Sequence, residues 1–314
     1  MTFAVDLRDL RYFETIAELE HVGRAANILH RTQPALTGCI RRLEDACGAP
    51  LFEKSGRGIR LTAAGKVLLR WARSMRTQVE DAEREIRELR GGVSGYIRIG
   101  IVPTAAQFLL PQAVRRLLAE THDVTLRTVV GLSESLRKQL RSGDLDLMVG
   151  TESAAEEGLV SQTLAEDMIV VAASRNHEIF RNPKPTLEDL SLYPWALQAP
   201  GAPTRDWLDH TFDRFHLPRP KVQVETTTLM MLPILIAETG LLSFISRLHL
   251  ESDSSHSRLK EVPVSDAHMC RRLVVTFREN GYLPLAARRL IELFPLGFTA
   301  SPSIEHVSPS FSRI

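Results

Sequence analysis

Pro34 is the residue that most restricts what this chain can build. A proline has no amide hydrogen to donate, and its ring collides with the preceding turn, so a helix tolerates it only in the first turn. Thr32 stands two residues earlier and can cap a helix with its hydroxyl, so the spacing predicts a helix that begins at Gln33. Leu36, Ile40 and Leu43 follow on one face, and Gly48 is placed to end the helix. Upstream, Leu7, Leu10, Phe13 and Ala17 mark an amphipathic helix over Asp6–Leu19. Ala25, Ala26 and Leu29 mark a second over Arg24–His30, with Gly23 expected at its N-cap. The small Ala25-Ala26 pair lets a neighbouring helix approach closely, as a helix-turn-helix requires.

Gln33, Thr37 and Arg41 are left on the face opposite the apolar one, with Arg42 at its edge. Such a set suits a major groove. Glutamine can bond an adenine edge bidentately, threonine can reach bases or phosphate, and arginine can bind guanine or phosphate. Charge points the same way. The chain carries a net +1, but residues 1–76 hold 13 Lys+Arg against 8 Asp+Glu and the remainder 26 against 30, so +5 faces −4. Within His21–Arg76 there are 11 basic residues against 3 acidic ones, the footprint of a surface that meets a polyanion. A merely solvated basic face would carry the same charge; the helical motif in the same segment decides between the two. After that motif, Leu51–Leu61 reads as two short strands around a glycine-containing turn. This basic wing would project Lys54, Arg57 and Arg60 toward phosphates or the minor groove.

Thr62 is placed to cap a further helix. Its apolar positions Leu68, Ala72, Met75, Val79, Ala82, Ile86 and Leu89 are spaced 4, 3, 4, 3, 4 and 3, an a/d heptad seam. A single helix lying on its own domain would show a similar stripe. The dense charge of Glu80–Arg90 around the stripe and the Gly91-Gly92 hinge after it favour a two-helix dimer seam. A two-fold dimer also reads two half-sites at once.

Ala25-Ala26, Leu29, Thr32-Gln33-Pro34-Ala35, Leu43-Glu44, Gly48, Leu51-Phe52 and Leu61-Thr62-Ala63-Ala64-Gly65 fall in the order and spacing of the LysR-type transcriptional regulators. The chain resembles that family closely over residues 6–90 and loosely to about residue 296. The resemblance implies DNA contact at Gln33, Pro34 and Thr37, with Arg57 and Arg60 on the wing; Thr32, Arg41 and Lys54 are expected to join them from the helix and wing reading above. Gly38-Cys39 is an unusual pair inside a recognition helix. Gly38 costs roughly 1 kcal/mol relative to alanine there, and a close approach to DNA would explain it.

From Gly95 onward strands alternate with helices, which implies an α/β fold with a parallel sheet covered by helices. Strands are predicted at Tyr96–Val102, Val124–Val130, Leu145–Val149, Met168–Ala173, Trp195–Gln198, Val222–Glu225, Leu241–Ser246 and Arg271–Phe277. Two α/β lobes fit this count. The resemblance implies an effector domain like the type 2 periplasmic binding proteins, with chain crossings near 163–168 and 266–270. The expected organisation is a winged helix-turn-helix DNA-binding domain over 1–65, a linker and dimerisation helix with hinge over 66–92, an effector-binding domain over 93–297 and a flexible tail over 298–314. Lobe 1 would take about 93–165 and 267–297, and lobe 2 about 166–266.

Ligands of such folds lie at strand carboxyl ends and helix amino ends. That selects Thr104, Ser133 as the cap of the following helix, Thr204 after the Pro-Gly-Ala-Pro turn, and Thr227 and Thr228 before the Leu229 helix. Each hydroxyl on its own is better explained as a helix cap than as a ligand contact; the cluster suggests a small organic anion, a carboxylic or sugar acid, drawn by helix dipoles.

Other classes fare worse. The 314 residues hold 44% apolar and 25% charged residues, an ordinary globular mixture. The longest relevant apolar run, Leu229–Ala237, contains Pro233 and falls short of the about 20 residues of a membrane span. The acidic start at Asp6 and Asp9 does not read as a secretory signal, so a cytoplasmic protein is expected and a solute-binding protein is not. Cys39, Cys47 and Cys270 read as reduced thiols. Cys270, His249, His256 and His268 lack metal-site spacing, and no cofactor is expected. Asp206, Asp209 and His210 read as the solvated face of a helix rather than as catalytic groups, which sets aside the rival reading of an α/β enzyme with an accessory helical domain. The expectation is a dimeric or tetrameric promoter-binding regulator.

Overall fold

The structure, a computed structural model, describes residues 5–56, 58–89, 95–121, 123–251 and 258–295. Arg57, Gly91-Gly92, His256 and the tail over 298–314 lie outside the described residues.

The head begins with α1 (Leu7–Leu19), whose Asp6 cap accepts from the Arg8 amide. Next, α2 (Val22–Ile28) starts two residues earlier than its apolar pattern predicts. Its cap is His21, whose Nδ1 accepts from the Arg24 amide at 3.2 Å, and not Gly23. An imidazole nitrogen here replaces the usual hydroxyl. The third helix, α3 (Gln33–Cys47), has the predicted start and stop: the Thr32 hydroxyl accepts from the Ala35 amide, and Gly48 adopts φ 64°. Phe13, Ile16, Ala25, Leu36, Cys39 and Leu43 are buried between these helices. Burial holds the Cys39 thiol up at about 12, so it stays protonated. The wing is the antiparallel pair β1 (Phe52–Ser55) and β2 (Gly58–Leu61).

The long helix α4 (Ala63–Glu88) is capped by the Thr62 hydroxyl, which accepts from Gly65 N at 3.0 Å. Gly65 is forced by packing, because a Cβ there would lie 2.1 Å from the Leu51 carbonyl oxygen. The structure corrects the heptad reading at its first two positions. Leu68 and Ala72 are buried in the head core with Leu10, Phe13 and Leu51, so they cannot serve a partner helix. Met75, Val79, Ala82, Ile86 and Leu89 are exposed, and the apolar face continues through Val67 and Trp71 instead. Closing the head turns the first heptad inward.

The effector domain opens with β3 (Gly95–Ile101), α5 (Pro103–Phe108), α6 (Leu110–Glu120), β4 (Val124–Val130), α7 (Ser133–Arg141) and β5 (Leu147–Thr151). The 16-residue strand β6 (Leu159–Ser174) follows, then α8 (Leu187–Ser191), β7 (Pro194–Gln198), α9 (Pro203–Arg214), β8 (Lys221–Thr226) and α10 (Met231–Glu238). Last come β9 (Ser243–Ser246), α11 (Leu248–Glu251), β10 (Leu259–Glu261), β11 (Met269–Arg278) and α12 (Leu285–Leu293).

The sheet is mixed rather than parallel. Its order is β10-β6-β11-β5-β3-β4, with β9 also on β6; β3 runs parallel to β4 and β5, but β11 runs antiparallel to β5 and β6. β6 is also longer than its apolar half, Met168–Ala173, suggests: its first residues are polar-interrupted and carry the chain along β11 from one lobe to the other. A register shift between Leu273 and Val274 bends this pair. One core gathers Ile97, Ile99, Leu136, Leu147, Val275 and Leu290. The second gathers Trp195, Leu208, Phe212 and Phe244; the Trp195 indole N–H donates to the Leu190 carbonyl at 3.1 Å, and its ring meets Phe212 edge-on.

The far half of α4 is bolted to lobe 1. The Thr77 hydroxyl donates to the Ser142 carbonyl at 2.9 Å, and Arg278 donates to Asp81 at 3.0 Å. Arg84 and Arg98 each donate to the wholly buried Asp146 at 2.7 Å. Two buried carboxylates with arginines from another element are costly to separate. Head, helix and lobe 1 are thereby held as one body in this conformation.

Candidate DNA-binding face and effector cleft

Because Leu36, Cys39 and Leu43 turn inward, the opposite side of α3 is open to water. Thr32, Gln33, Pro34, Thr37 and Arg41 are all exposed, and Gln33, Pro34, Thr37, Gly38 and Arg41 line one shallow depression. The side chains of Gln33 and Arg41 make no hydrogen bond or ion pair among the described residues, so their side-chain donors are uncommitted. The Thr37 hydroxyl donates back to the Gln33 carbonyl at 3.0 Å, which leaves its oxygen free to accept. Arg42, at the edge, is taken by Asp9 in a bidentate pair at 2.8 and 2.9 Å. On the wing, Lys54 is exposed and unpaired among the described residues, whereas Arg60 is tied to Glu53 on the facing strand at 2.8 Å. The wing's free charge is therefore smaller than its sequence suggests.

The second site is a cavity of about 730 Å³ between the lobes. Lobe 1 lines it with Thr104, Ser133, Arg137 and Thr151, lobe 2 with Gln198, Pro203 and Thr204, and the crossing strands with Glu166 and Met269–Arg272. Thr104, Ser133 and Thr204 are thus brought together, as the helix-start reading expects. Thr227 and Thr228 are not part of the lining: they sit exposed on the turn after β8, α10 begins only at Met231, and it is Leu229 of this turn that lines the cavity. Ser133 is also not a cap. Leu132 occupies that position, and the Ser133 hydroxyl instead meets the Thr151 hydroxyl and accepts from the Thr151 amide, both at 3.1 Å. This ties α7 to the end of β5.

Beneath the cavity, Arg271 on β11 pairs with the fully buried Asp167 on β6 at 2.6 Å and donates to the Thr104 hydroxyl at 3.1 Å. The Ser246 hydroxyl also donates to Asp167. The Thr204 hydroxyl is bonded to the Gln198 side-chain amide. Arg137 pairs with Glu156 at 3.2 Å, and Arg272 is shared between Glu152 and Glu166 at 3.4 and 3.6 Å. Sequence reasoning misses Gln198 and Arg271. Gln198 ends β7 just before the Pro-Gly-Ala-Pro turn, and the strand-end rule that picked Thr104 could have found it. Arg271 carries no local signal, since its partner is 104 residues away.

Asp209 is buried and paired with Arg205 at 2.9 Å, so it does not belong to a solvated face. Cys270 lines the cavity as an exposed thiol, and its titration is pushed up by partial burial. No helix among the described residues is long and apolar enough to cross a membrane.

A winged helix-turn-helix joined by a long helix to a two-lobed domain with an interlobe cavity defines a DNA-binding regulator that carries its own sensor. Residues 7–66 match the bacterial regulatory helix-turn-helix proteins of the lysR family, and residues 90–295 match the LysR substrate binding domain. The chain belongs to the LysR family of transcriptional regulators, which are not enzymes. It is 29% identical over 286 residues to the regulator CbbR of Rhodospirillum rubrum, covering 91% of this chain and 94% of that one. It is 26% identical over 260 residues to GalR of Pseudomonas putida, covering 82% of this chain. With PcaQ of Agrobacterium fabrum it is 33% identical over 192 residues, 60% of this chain. The matches span 65% of the length of GalR and 62% of that of PcaQ. In fold it resembles a full-length OxyR variant of Pseudomonas aeruginosa (TM-score 0.67, 24% identity, 92% of this chain and 94% of that one). It also resembles full-length CbnR in complex with its target DNA (TM-score 0.61, 20% identity, 92% and 99%).

Proposed function

We propose that the chain binds promoter DNA as a homodimer or homotetramer and changes its grip when a small organic anion enters the interlobe cleft. The observation that carries the reading is the outward face of α3, where Gln33 and Arg41 stand exposed and uncommitted beside Thr37. Gln33, Thr37 and Arg41 would read base edges. Thr32 and Pro34 frame the helix start, and Lys54, Arg57 and Arg60 serve the phosphate backbone. That a structure of the same fold, CbnR, was obtained on its target DNA supports this use of the head.

Self-association is supported by the exposed apolar stripe Val67, Trp71, Met75, Val79, Ile86 and Leu89, too continuous a band to leave in water on a soluble monomer. The effector reading is supported by the starts of α5, α7 and α9 around one cavity, each offering unpaired amides and the positive end of a helix. Ligand would favour one arrangement of the lobes, a population shift that resets the spacing of paired heads.

Footprinting the full chain on the DNA flanking its own coding region, with and without a panel of small organic acids, tests the whole. Expected is a protected site of two related halves whose boundary or affinity moves with one acid. A chain that protects no fragment of that DNA sinks the reading.

A further inference from the structure

Three glycines of the head are set by geometry. Gly48 takes φ 64°, and a Cβ on Gly58 or Gly65 would lie 2.7 or 2.1 Å from a backbone carbonyl oxygen. Gly38 shows neither constraint. It lies inside α3 with an ordinary helical backbone, and among the described residues a Cβ there would meet only Arg42 Nη1, at 3.7 Å. A glycine in a helix interior is unfavourable relative to alanine, because it gives up the most backbone freedom on folding. Its use at Gly38 therefore points outward, to whatever approaches the helix.

The missing side chain leaves a notch on the open face of α3. Pro34 stands one turn before it and Arg41 one turn after, and both line the same shallow depression as Gly38. Neither Pro34 nor Gly38 has a hydrogen-bonding side-chain group, so the floor of the notch offers carbon alone. Its rim is different. Arg42 spends Nε and Nη2 on the buried Asp9 carboxylate at 2.8 to 2.9 Å, and its Nη1 has no partner among the described residues. The two-pronged pair fixes the guanidinium plane, so Nη1 is a donor held in place beside the notch.

A carbon-floored notch with a fixed donor at its rim matches one base edge in the major groove. Among the four DNA bases only thymine sets an apolar C5 methyl beside an acceptor, O4; cytosine has no methyl and puts its N4 donor where thymine has O4, and the purines offer no methyl there. Resting on the DNA-binding reading above, we propose that Gly38 is a specificity-determining residue that admits the methyl of one thymine in each half-site, while Arg42 Nη1 donates to its O4. Asp9 is a positioning residue that acts through Arg42. The absent side chain is then the means of recognition: a methyl on the protein and a methyl on the base compete for one space.

The full chain is footprinted on the DNA flanking its own coding region, and duplexes of the protected site are made with each thymine replaced in turn by deoxyuridine, which lacks only the methyl. Titrations compare the wild type with Gly38→Ala, and melting temperatures report folding. Expected for the wild type is a loss of about fourfold at one thymine per half-site, the worth of one buried methyl. In Gly38→Ala that loss disappears or reverses, because uracil leaves room that thymine does not. A further duplex carries 5-methylcytosine opposite guanine at the same position, which keeps the methyl but sets a donor against Arg42; it should bind about tenfold more weakly than thymine. A protected site whose affinity no deoxyuridine changes, or a thymine whose replacement costs the same in Gly38→Ala, overturns the notch and leaves DNA binding by α3 standing. 5-Methylcytosine bound as tightly as thymine overturns the role of Arg42 Nη1. A wild type that protects none of this DNA overturns the DNA-binding reading itself.

Discussion

The head and the cleft both use arginine, in opposite ways. On α3 and the wing, Arg41 and Lys54 are exposed and unpaired among the described residues. In the cleft, Arg137, Arg271 and Arg272 each have a carboxylate within 2.6 to 3.6 Å. The difference follows from solvation. A charge in water costs nothing to keep and gains by releasing counterions from a polyanion, whereas a charge under a lobe must be neutralised before the domain can fold. The free charge of Arg41 and Lys54 therefore suits a surface meant for a polyanion, and the paired charge of Arg137 and Arg271 a site that lies between two lobes.

The comparison breaks most visibly at Asp167. Asp167→Ala should strand Arg271 and cost the effector domain about 3–5 kcal/mol, seen as a large drop in its melting temperature. Arg41→Ala should move stability by no more than about 0.5 kcal/mol yet weaken DNA binding. Equal stability losses would mean that the two arginines are not in different regimes.

His249 carries the same solvation argument to a buried titratable ring. It lies on α11, buried, with its ring edge-on to Phe108 at 4.9 Å. Burial holds its pKa down at about 4, the Asp167 charge working against this and Arg271 with it. The unfolded chain protonates His249 near 6.5, so folding stability is intact above that pH, falls as pH drops toward 4, and levels off below. The full effect is about 3 kcal/mol. Melting temperature measured from pH 7.5 to 4 should show this slope in the wild type and a shallower one in His249→Phe. Matching slopes would place the titration elsewhere.

Within the head, specificity and grip should separate. Gln33→Ala should cost roughly 1–3 kcal/mol at a single base pair, and Lys54→Ala should weaken all sequences alike while reducing the salt slope by about 0.9. Sequence-independent losses from both would remove the division of labour between α3 and the wing.

What could be read in advance follows the same line. Helix caps and stops are local chemistry, so Thr32, Gly48 and Thr62 were legible, while the imidazole cap at His21 was not. Burial periodicity located the strands and the inner face of α3. It could not tell that Leu68 and Ala72 serve the head rather than a partner, because a buried stripe reads the same whatever covers it. Helix starts located Thr104, Ser133 and Thr204. The Asp167–Arg271 pair, and with it the chemistry under the cavity, depends on two strands meeting antiparallel at a crossing, which no local pattern records.

The smallest effect gives the sharpest test of what α3 faces. Gly38 sits in the middle of that helix, where glycine costs about 1 kcal/mol relative to alanine. Among the described residues a Cβ at this position would meet only the Arg42 guanidinium, at an ordinary 3.7 Å. The residue occupies the same depression as Gln33 and Arg41, so the space a methyl would fill is the space a duplex would use. Gly38→Ala should therefore raise the head's stability by up to about 1 kcal/mol while lowering DNA affinity. A variant that is both more stable and equally tight on DNA would show that the groove does not close on this part of the helix, and base reading would then have to be assigned nearer to Gln33.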